Sequence, residues 1–183
     1  MRLLPGGLLA GARQCPSPNC DPRPPETDID LLVVHGISLP PGEFGSCAID
    51  QLFTNCLDPT RHSAFQDIHS LRVSAHLLIQ RDGELVQYVP LEQRAWHAGV
   101  SCFRDRERCN DFSIGIELEG TDDTPYDHRQ YTRLATVVRA IQTAYPGITR
   151  DRIVGHCDIA PGRKTDPGPA FDWARFYLLL EAG

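Results

Sequence analysis

The sequence predicts an α/β domain with a mixed central β-sheet flanked by helices. Short apolar runs at 31–35 and 153–156 have the length and composition of buried strands. Apolar residues recur at helical spacing over 131–145, and the Asp-Gly turn within 81–83 separates two strand-like segments. Because strand-like and helical segments alternate along the chain, a sheet covered by helices is the expected architecture.

The predicted elements follow the order strand, helix, hairpin, strand, long helix, strand, helix. Residues 1–30 are rich in proline and glycine and predict an extended arm packed on the domain, because proline lacks the N–H that helices and inner strands donate. Residues 31–183 are expected to form the domain itself, so the chain has one domain overall. The strands are expected at 31–35, 73–80, 84–89, 113–119 and 153–156, and the helices at about 49–57, 131–145 and 171–180.

The segment 113–119 alternates apolar and polar residues, which predicts a strand with one apolar face. The apolar positions are Ile114, Ile116 and Leu118, and the other face carries Ser113, Gly115, Glu117 and Glu119. Either glutamate could be a solvated carboxylate or a functional one, and the residues alone do not rank them.

The net charge of −6 disfavours nucleic acid and anionic membranes as partners, because both require a basic surface. A small-molecule substrate suits this charge better.

The apolar stretch at 3–10 is interrupted by proline and glycine and is too short to span a membrane, and no secretory or lipidation signal accompanies it. We therefore expect a cytoplasmic protein whose cysteines are reduced thiols.

Two histidines and an aspartate form a candidate metal site. A catalytic zinc site needs three histidine or carboxylate ligands and a fourth position open for water. His35 and His156 end two predicted strands, and Asp166 follows His156 across a loop rich in proline and glycine that can turn back. A histidine at a strand end is also compatible with a purely structural role. The remaining histidines could be rival ligands: His62, His69, His76, His97 and His128.

Four segments of the sequence have long, specific motifs: LLVVHGISLPPGEFG at 31–45, RAWHAGVS at 94–101, CNDFSIGIELEG at 109–120 and GHCDIAPGRKTDPG at 155–168. By these motifs the chain resembles the AmpD family of cytoplasmic 1,6-anhydro-N-acetylmuramyl-L-alanine amidases. The resemblance runs in family order from about Leu3 to Trp173. It implies the fold shared by phage T7-lysozyme-type amidases and peptidoglycan recognition proteins.

The resemblance also implies a set of site residues. His35, His156 and Asp166 match the family's zinc ligands, which implies one Zn²⁺ ion. Glu117 matches the acidic residue that activates the attacking water, and Lys164 matches the basic residue that faces the reacting carbonyl. The implied reaction is hydrolysis of the amide bond between 1,6-anhydro-N-acetylmuramic acid and L-alanine in cell-wall recycling.

Substrate-binding residues are implied in the same way. Arg108 matches an arginine that contacts the peptide, and a guanidinium binds a carboxylate through paired hydrogen bonds. Arg72, His97 and Asn110 are further candidates, and Trp96 could form a wall of the cleft. The expected partner is a small muropeptide bound by a monomer.

The sequence departs from the family pattern beside two of the implied ligands. Gly36 follows the first zinc histidine where many relatives carry asparagine, which removes a side-chain contact to substrate and predicts a looser loop. Cys157 follows His156 and brings a thiol near the metal, although adjacent residues at a strand end point to opposite sides.

Two other functions remain open. An amidase acting on polymeric peptidoglycan would share the site, but an export signal or a wall-binding module is expected in such an enzyme. A non-catalytic muropeptide-binding protein would share the fold, but it is expected to lack a ligand.

Overall fold

The computed structural model describes residues 1–182, which contain twelve strands and four α-helices. The strands are β1 (Leu3–Leu4), β2 (Leu8–Leu9), β3 (Arg13–Gln14), β4 (Cys20–Pro22), β5 (Leu31–Ile37), β6 (Leu77–Ile79), β7 (Leu85–Gln87), β8 (Gln93–Ala95), β9 (Cys102–Phe103), β10 (Arg106–Glu107), β11 (Ser113–Glu119) and β12 (Ile153–Gly155). The helices are α1 (Ala48–Phe53), α2 (His128–Ala144), α3 (His156–Ile159) and α4 (Trp173–Glu181). None of the helices in residues 1–182 combines the length and the apolar composition needed to cross a bilayer.

The central sheet of the described chain has six strands in the order β12-β5-β11-β6-β7-β3. The first four of these strands run parallel to their neighbours, whereas β6 and β7 form an antiparallel hairpin and β3 runs parallel to β7. This sheet confirms the mixed α/β architecture that the sequence predicts. The hairpin strands are shorter than expected, because only three residues on each side of the Asp82-Gly83 turn pair in the ladder.

The two faces of the sheet are covered differently. On one face, Leu32 and Val34 of β5 and the apolar residues of β11 pack against the buried sides of α2 and α4. On the other face, α1 and the loops around it cover β6 and β7, while Leu31 and Val33 belong to a small separate apolar cluster. The odd-numbered residues of β5 therefore face away from α2 and α4.

Strand β11 differs from its prediction in one respect. Its bounds and its apolar face are as expected, but all seven of its residues are buried, including Ser113, Glu117 and Glu119. The polar face of the strand therefore points into the protein rather than into solvent. Burying charged side chains is costly without partners, so the partners of Glu117 and Glu119 distinguish a structural carboxylate from a candidate functional one.

The helix ends follow local backbone signals. Helix α1 ends at Phe53, earlier than predicted, because Asn55 adopts a left-handed conformation with φ of 62°. Helix α2 begins at His128, where Asp127 and Gln130 form a capping box. Helix α4 begins at Trp173 because the side chain of Asp172 caps it.

The N-terminal residues pair with the rest of the protein at several points. Strand β3 forms one edge of the central sheet, and β4 pairs with β8. The guanidinium of Arg23, which follows β4, is half-buried and donates to four backbone carbonyls at 2.9–3.1 Å, those of Leu91, Asn110, Asp111 and Ser113. These bonds connect the arm to the segment that leads into β11.

Replacing Arg23 by alanine should destabilise the fold substantially. The change leaves several buried carbonyls without a donor, and we expect a loss of about 3 kcal/mol in the free energy of unfolding, measured by urea denaturation. The control is Arg2→Ala, which removes an exposed arginine of the same arm. If the two variants unfolded at the same urea concentration, the bonds of Arg23 would contribute nothing net to stability.

Candidate active site

The register of three parallel strands brings the predicted site residues together. His35 of β5 lies directly opposite Glu117 of β11. On the other side of β5, Gly155 of β12 pairs with Val34, and His156 is the next residue along the chain. His35 and Glu117 both lie on the face turned away from α2 and α4. The structure places His35 inside its strand and His156 at the first position of α3, whereas the sequence predicts both at strand ends.

Three potential ligand atoms converge at this point. Nδ1 of His35 lies 3.0 Å from Nδ1 of His156, and Oδ2 of Asp166 lies 3.2 Å and 3.1 Å from those two nitrogens. The backbone carbonyl of Asp166 accepts a hydrogen bond from the N–H of Cys157 at 3.0 Å, so the loop that carries the aspartate returns to the start of α3. Among the described residues, His35, His156 and Asp166 are the group with metal-ligand geometry.

The chemistry of these atoms fits a divalent cation. Nε2 of His156 lies 3.2 Å from the carbonyl oxygen of Ala98, which can only accept, so a neutral His156 carries its proton on Nε2 and a lone pair on Nδ1. Burial lowers the pKa of His35 to about 4, which keeps this imidazole neutral near pH 7. Burial opposes ionisation of Asp166, but its contacts with both histidines outweigh burial and lower its pKa. Two imidazole nitrogens and a carboxylate oxygen are ligand types that zinc prefers.

The two glutamates of β11 have different environments. Oε1 of Glu119 accepts from the N–H of Gly45 at 2.6 Å, and its Oε2 accepts from the N–H of Arg81 at 3.1 Å. Glu119 therefore connects loops. Glu117 lines the cavity, and its Oε2 is buried without a hydrogen-bond partner among residues 1–182. Burial and the charge of Asp166 raise the pKa of Glu117 well above its usual value, while Lys164 acts in the opposite direction.

The site opens into a cavity of about 220 Å³. Its charged and polar lining includes Lys164, which is exposed, and the half-buried residues Trp96 and His97. Sequence reasoning singled out Gly36 but missed the rest of the wall, which consists of Ile37, Leu52, Phe53, Leu71, Val73 and Ser74. These residues are ordinary core and loop types, so no local pattern distinguishes them.

The predicted substrate-binding residues lie in different places. Arg72 is exposed beside the cavity, between the lining residues Leu71 and Val73. Arg108 is exposed and lines a second depression together with Arg163, whose guanidinium donates to the same Ala98 carbonyl that His156 contacts.

Asn110 does not reach the cavity. Its Oδ1 accepts from the N–H of His97 at 3.1 Å and from that of Ala98 at 2.8 Å. The geometry therefore gives Asn110 a role in holding the backbone of this loop and offers no support for the predicted contact with substrate.

The backbone beside the first histidine is tightly packed, which differs from the looser loop predicted for Gly36. A Cβ at this position would lie 2.4 Å from Oη of Tyr126, and Tyr126 donates to the carbonyl of Pro167 at 2.9 Å. Tyr126 thus connects β5 to the residue after Asp166. A glycine inside a strand often marks such a close approach, and this signal was available in the sequence.

Comparison with known proteins identifies the class. A family model described as N-acetylmuramoyl-L-alanine amidase matches residues 25–169, a span that contains all of the site residues described above. The fold and this match define the protein as an amidase of the type that cleaves the link between muramic acid and L-alanine.

Two similar proteins show to which family of these amidases the chain belongs. The 1,6-anhydro-N-acetylmuramyl-L-alanine amidase AmpD of Escherichia coli (strain K12) is 63% identical over 178 residues, which cover 97% of this chain and 97% of that protein. A crystal structure of a Se-Met AmpD derivative is 62% identical, with a TM-score of 0.94 over 97% of this chain and 99% of that one. The chain belongs to the AmpD family of N-acetylmuramoyl-L-alanine amidases.

A more distant structure contains a ligand. It is the complex of the E. coli amidase AmiD with the substrate anhydro-N-acetylmuramic acid-L-Ala-D-gamma-Glu-L-Lys. It is 28% identical, with a TM-score of 0.61 over 86% of this chain and 60% of that one.

Substitution of Gly36 by alanine tests the packing beside His35. The new methyl group would press on the hydroxyl of Tyr126, and we expect a loss of about 1–3 kcal/mol in the free energy of unfolding. Because the close contact is with the hydroxyl alone, the same substitution should cost much less in a Tyr126→Phe background. Equal costs in the two backgrounds, measured by urea denaturation, would contradict this explanation.

Proposed function

We propose that this protein hydrolyses the amide bond between 1,6-anhydro-N-acetylmuramic acid and L-alanine in muropeptides, using one zinc ion held by His35, His156 and Asp166. The observation that carries the proposal is the convergence of two imidazole nitrogens and one carboxylate oxygen, 3.0–3.2 Å apart, beside the buried carboxyl group of Glu117. Bound there, zinc supplies a Lewis acid that polarises the scissile carbonyl and makes water a stronger nucleophile.

Glu117 is the proposed proton-transfer residue. It is opposite His35 in the sheet register, and its Oε2 is free to contact a water molecule or substrate. A cation at the adjacent ligand atoms would offset the burial that raises the pKa of Glu117, so its carboxylate form would become accessible. The carboxylate takes a proton from the water that adds to the carbonyl carbon.

The same proton completes the reaction. As the C–N bond breaks, Glu117 delivers the proton to the departing nitrogen of L-alanine, and the products are a carboxylic acid on the sugar side and a free amine on the peptide. Lys164 lines the cavity and carries the positive charge that would stabilise the oxyanion formed on the carbonyl oxygen. Acid–base and electrostatic roles therefore fall to two side chains of opposite charge.

The proposed substrate is a soluble wall fragment. The name of the AmpD relatives specifies a 1,6-anhydro-N-acetylmuramyl-L-alanine substrate, and the AmiD complex contains an anhydro-muramyl tripeptide. Arg72 is exposed beside the cavity and Arg108 is exposed in the second depression, and both guanidiniums suit the carboxylates of a peptide stem through paired hydrogen bonds. His97 is half-buried in the cavity wall and is proposed as a further substrate contact, whereas the case for Asn110 rests on the family resemblance alone.

The cellular setting is proposed on the family resemblance. We propose that the protein works as a monomer in the cytoplasm and recycles wall fragments there. The net charge of −6 agrees with a small ligand rather than nucleic acid or an anionic membrane.

Product analysis tests this function directly. The purified protein is incubated with an anhydro-muropeptide or with intact sacculi, with and without a chelator, and the products are identified by mass spectrometry. We expect free peptide from the anhydro-muropeptide only, lost on chelation and restored by Zn²⁺. Equal cleavage of sacculi would point to a wall-degrading amidase, and cleavage of neither would point to a binding protein.

Two substitutions separate metal binding from proton transfer. Losing a residue that only hydrogen-bonds to a metal ligand typically weakens metal binding about 10–100-fold. Asp166→Ala removes a ligand itself, so it should weaken zinc binding by more than that and should abolish activity. Glu117→Gln should retain zinc and lower kcat by about 10²–10⁴-fold, because a neutral amide cannot transfer the proton. Metal content and kcat are measured for both, with the exposed Asp67→Ala as the control. Full zinc retention by Asp166→Ala would refute the proposed ligand set.

A further inference from the structure

The imidazole of His97 contacts the ring nitrogen of His35 that is not turned toward Asp166. Nε2 of His35 lies 2.9 Å from Nδ1 of His97, with the two rings nearly perpendicular at 87°. Nε2 of His97 lies 3.2 Å from Oγ of Ser113, and that hydroxyl donates to the carbonyl of Cys109 at 2.5 Å. These four residues form one hydrogen-bonded chain, which we call the His97 chain.

The direction of every bond in the His97 chain is set by its last member. The carbonyl of Cys109 can only accept, so the single hydroxyl proton of Ser113 is committed to it. Nε2 of His97 must then be the donor to Ser113, which leaves a lone pair on Nδ1 of His97. That nitrogen accepts from His35, whose proton therefore lies on Nε2.

The opposite direction would leave a contact without a proton. If Ser113 donated to His97, two oxygens that present only lone pairs would face each other at 2.5 Å. Such a contact is repulsive even though the carbonyl of Cys109 also accepts from the N–H of Phe112 at 3.3 Å. The chain therefore favours one tautomer of His35, with the Nδ1 lone pair directed toward His156 and Asp166.

The fold holds the ring of His97 in place for this contact. A Cβ built on Gly115 would lie 2.5 Å from Cγ and 2.6 Å from Nδ1 of His97, so the ring occupies the space that any other residue would fill. The N–H of His97 donates to Oδ1 of Asn110, which fixes the backbone at the same point. Neither feature is needed for a histidine that only contacts a ligand in the cavity.

We propose that His97 is a positioning residue for the metal site, holding His35 in the tautomer and orientation that present Nδ1 to zinc. The inference rests on the proposed function, because it assumes that His35, His156 and Asp166 bind the metal. The tautomer of His156 is fixed in the same way by the carbonyl of Ala98, which can only accept. By itself, Nδ1 of His97 could either donate to His35 or accept from it. The hydrogen bond to Ser113 is therefore needed to fix the tautomer of both rings.

A matched pair of substitutions separates this role from packing. Asparagine and leucine have side chains with the same number and branching of non-hydrogen atoms, but Oδ1 of asparagine can take the position of Nδ1 of histidine and accept from His35. We expect His97→Leu to weaken Zn²⁺ binding about 10–100-fold in competition with a chromogenic chelator, and His97→Asn to recover most of that loss. Urea denaturation of the metal-free variants reports any common effect on folding.

A spectroscopic measurement reads the tautomer itself. In ¹⁵N-labelled metal-free protein, long-range ¹H–¹⁵N correlations distinguish protonated from unprotonated ring nitrogens, and a His35→Gln spectrum identifies the signals of His35. We expect a single Nε2–H form in the unsubstituted protein and in His97→Asn, and a mixture in His97→Leu. Ser113→Ala should also give a mixture, and it provides the test if His97→Leu fails to fold.

The outcomes distinguish this inference from the proposed function. If the unsubstituted protein does not bind Zn²⁺, the metal assignment fails. If it binds Zn²⁺ tightly while His97→Leu and His97→Asn bind it equally well, the positioning role of His97 alone is overturned. A His35 that carries its proton on Nδ1 in the unsubstituted protein, or that keeps one tautomer in Ser113→Ala, would overturn it as well.

Discussion

The parallel pairing of β12, β5 and β11 is the constraint on which the rest of the site depends. Because His35 and Glu117 are register partners, the proposed metal ligand and the proposed base share one sheet face at the spacing of neighbouring strands. His156 reaches the same point from the other side of β5, since β12 ends one residue before it. A shift of one residue in either pairing would turn a functional side chain toward the apolar side that packs on α2 and α4.

Glycines in and directly after the strands provide space for aromatic side chains on both faces of the sheet. Gly115 is overlain by the ring of His97, and Gly36 and Gly120 leave space for Tyr126. Both aromatic side chains then support the site by a hydrogen bond. His97 contacts the ligand His35, and Tyr126 donates to the carbonyl of Pro167, the residue after the ligand Asp166. Glycine normally weakens a strand, so its presence here is explained by the close approach of these rings.

The segment around Asn110 shows how distant parts of the chain stabilise one another. Arg23 of the N-terminal arm binds the carbonyls of Asn110 and Asp111, while the side chain of Asn110 binds the backbone of His97 and Ala98. The arm therefore contributes to the position of residues that line or support the cavity. Burial lowers the pKa of Arg23 to about 10, so the group is still charged near neutral pH.

The sequence alone determined the elements whose signals are local. Period-two alternation gave the bounds of β11, the Asp-Gly turn gave the hairpin, and helical spacing gave α2, because these patterns depend only on residues close in the chain. Residue types and the family motifs also predicted the candidate ligands and Glu117. Tertiary structure decided what depends on partners far away in sequence: Glu119 is bound by Gly45 and Arg81, Asn110 by the backbone at His97, and His97 by Ser113. No local pattern encodes such contacts, because each arises only when the sheet register and the loops between strands are in place.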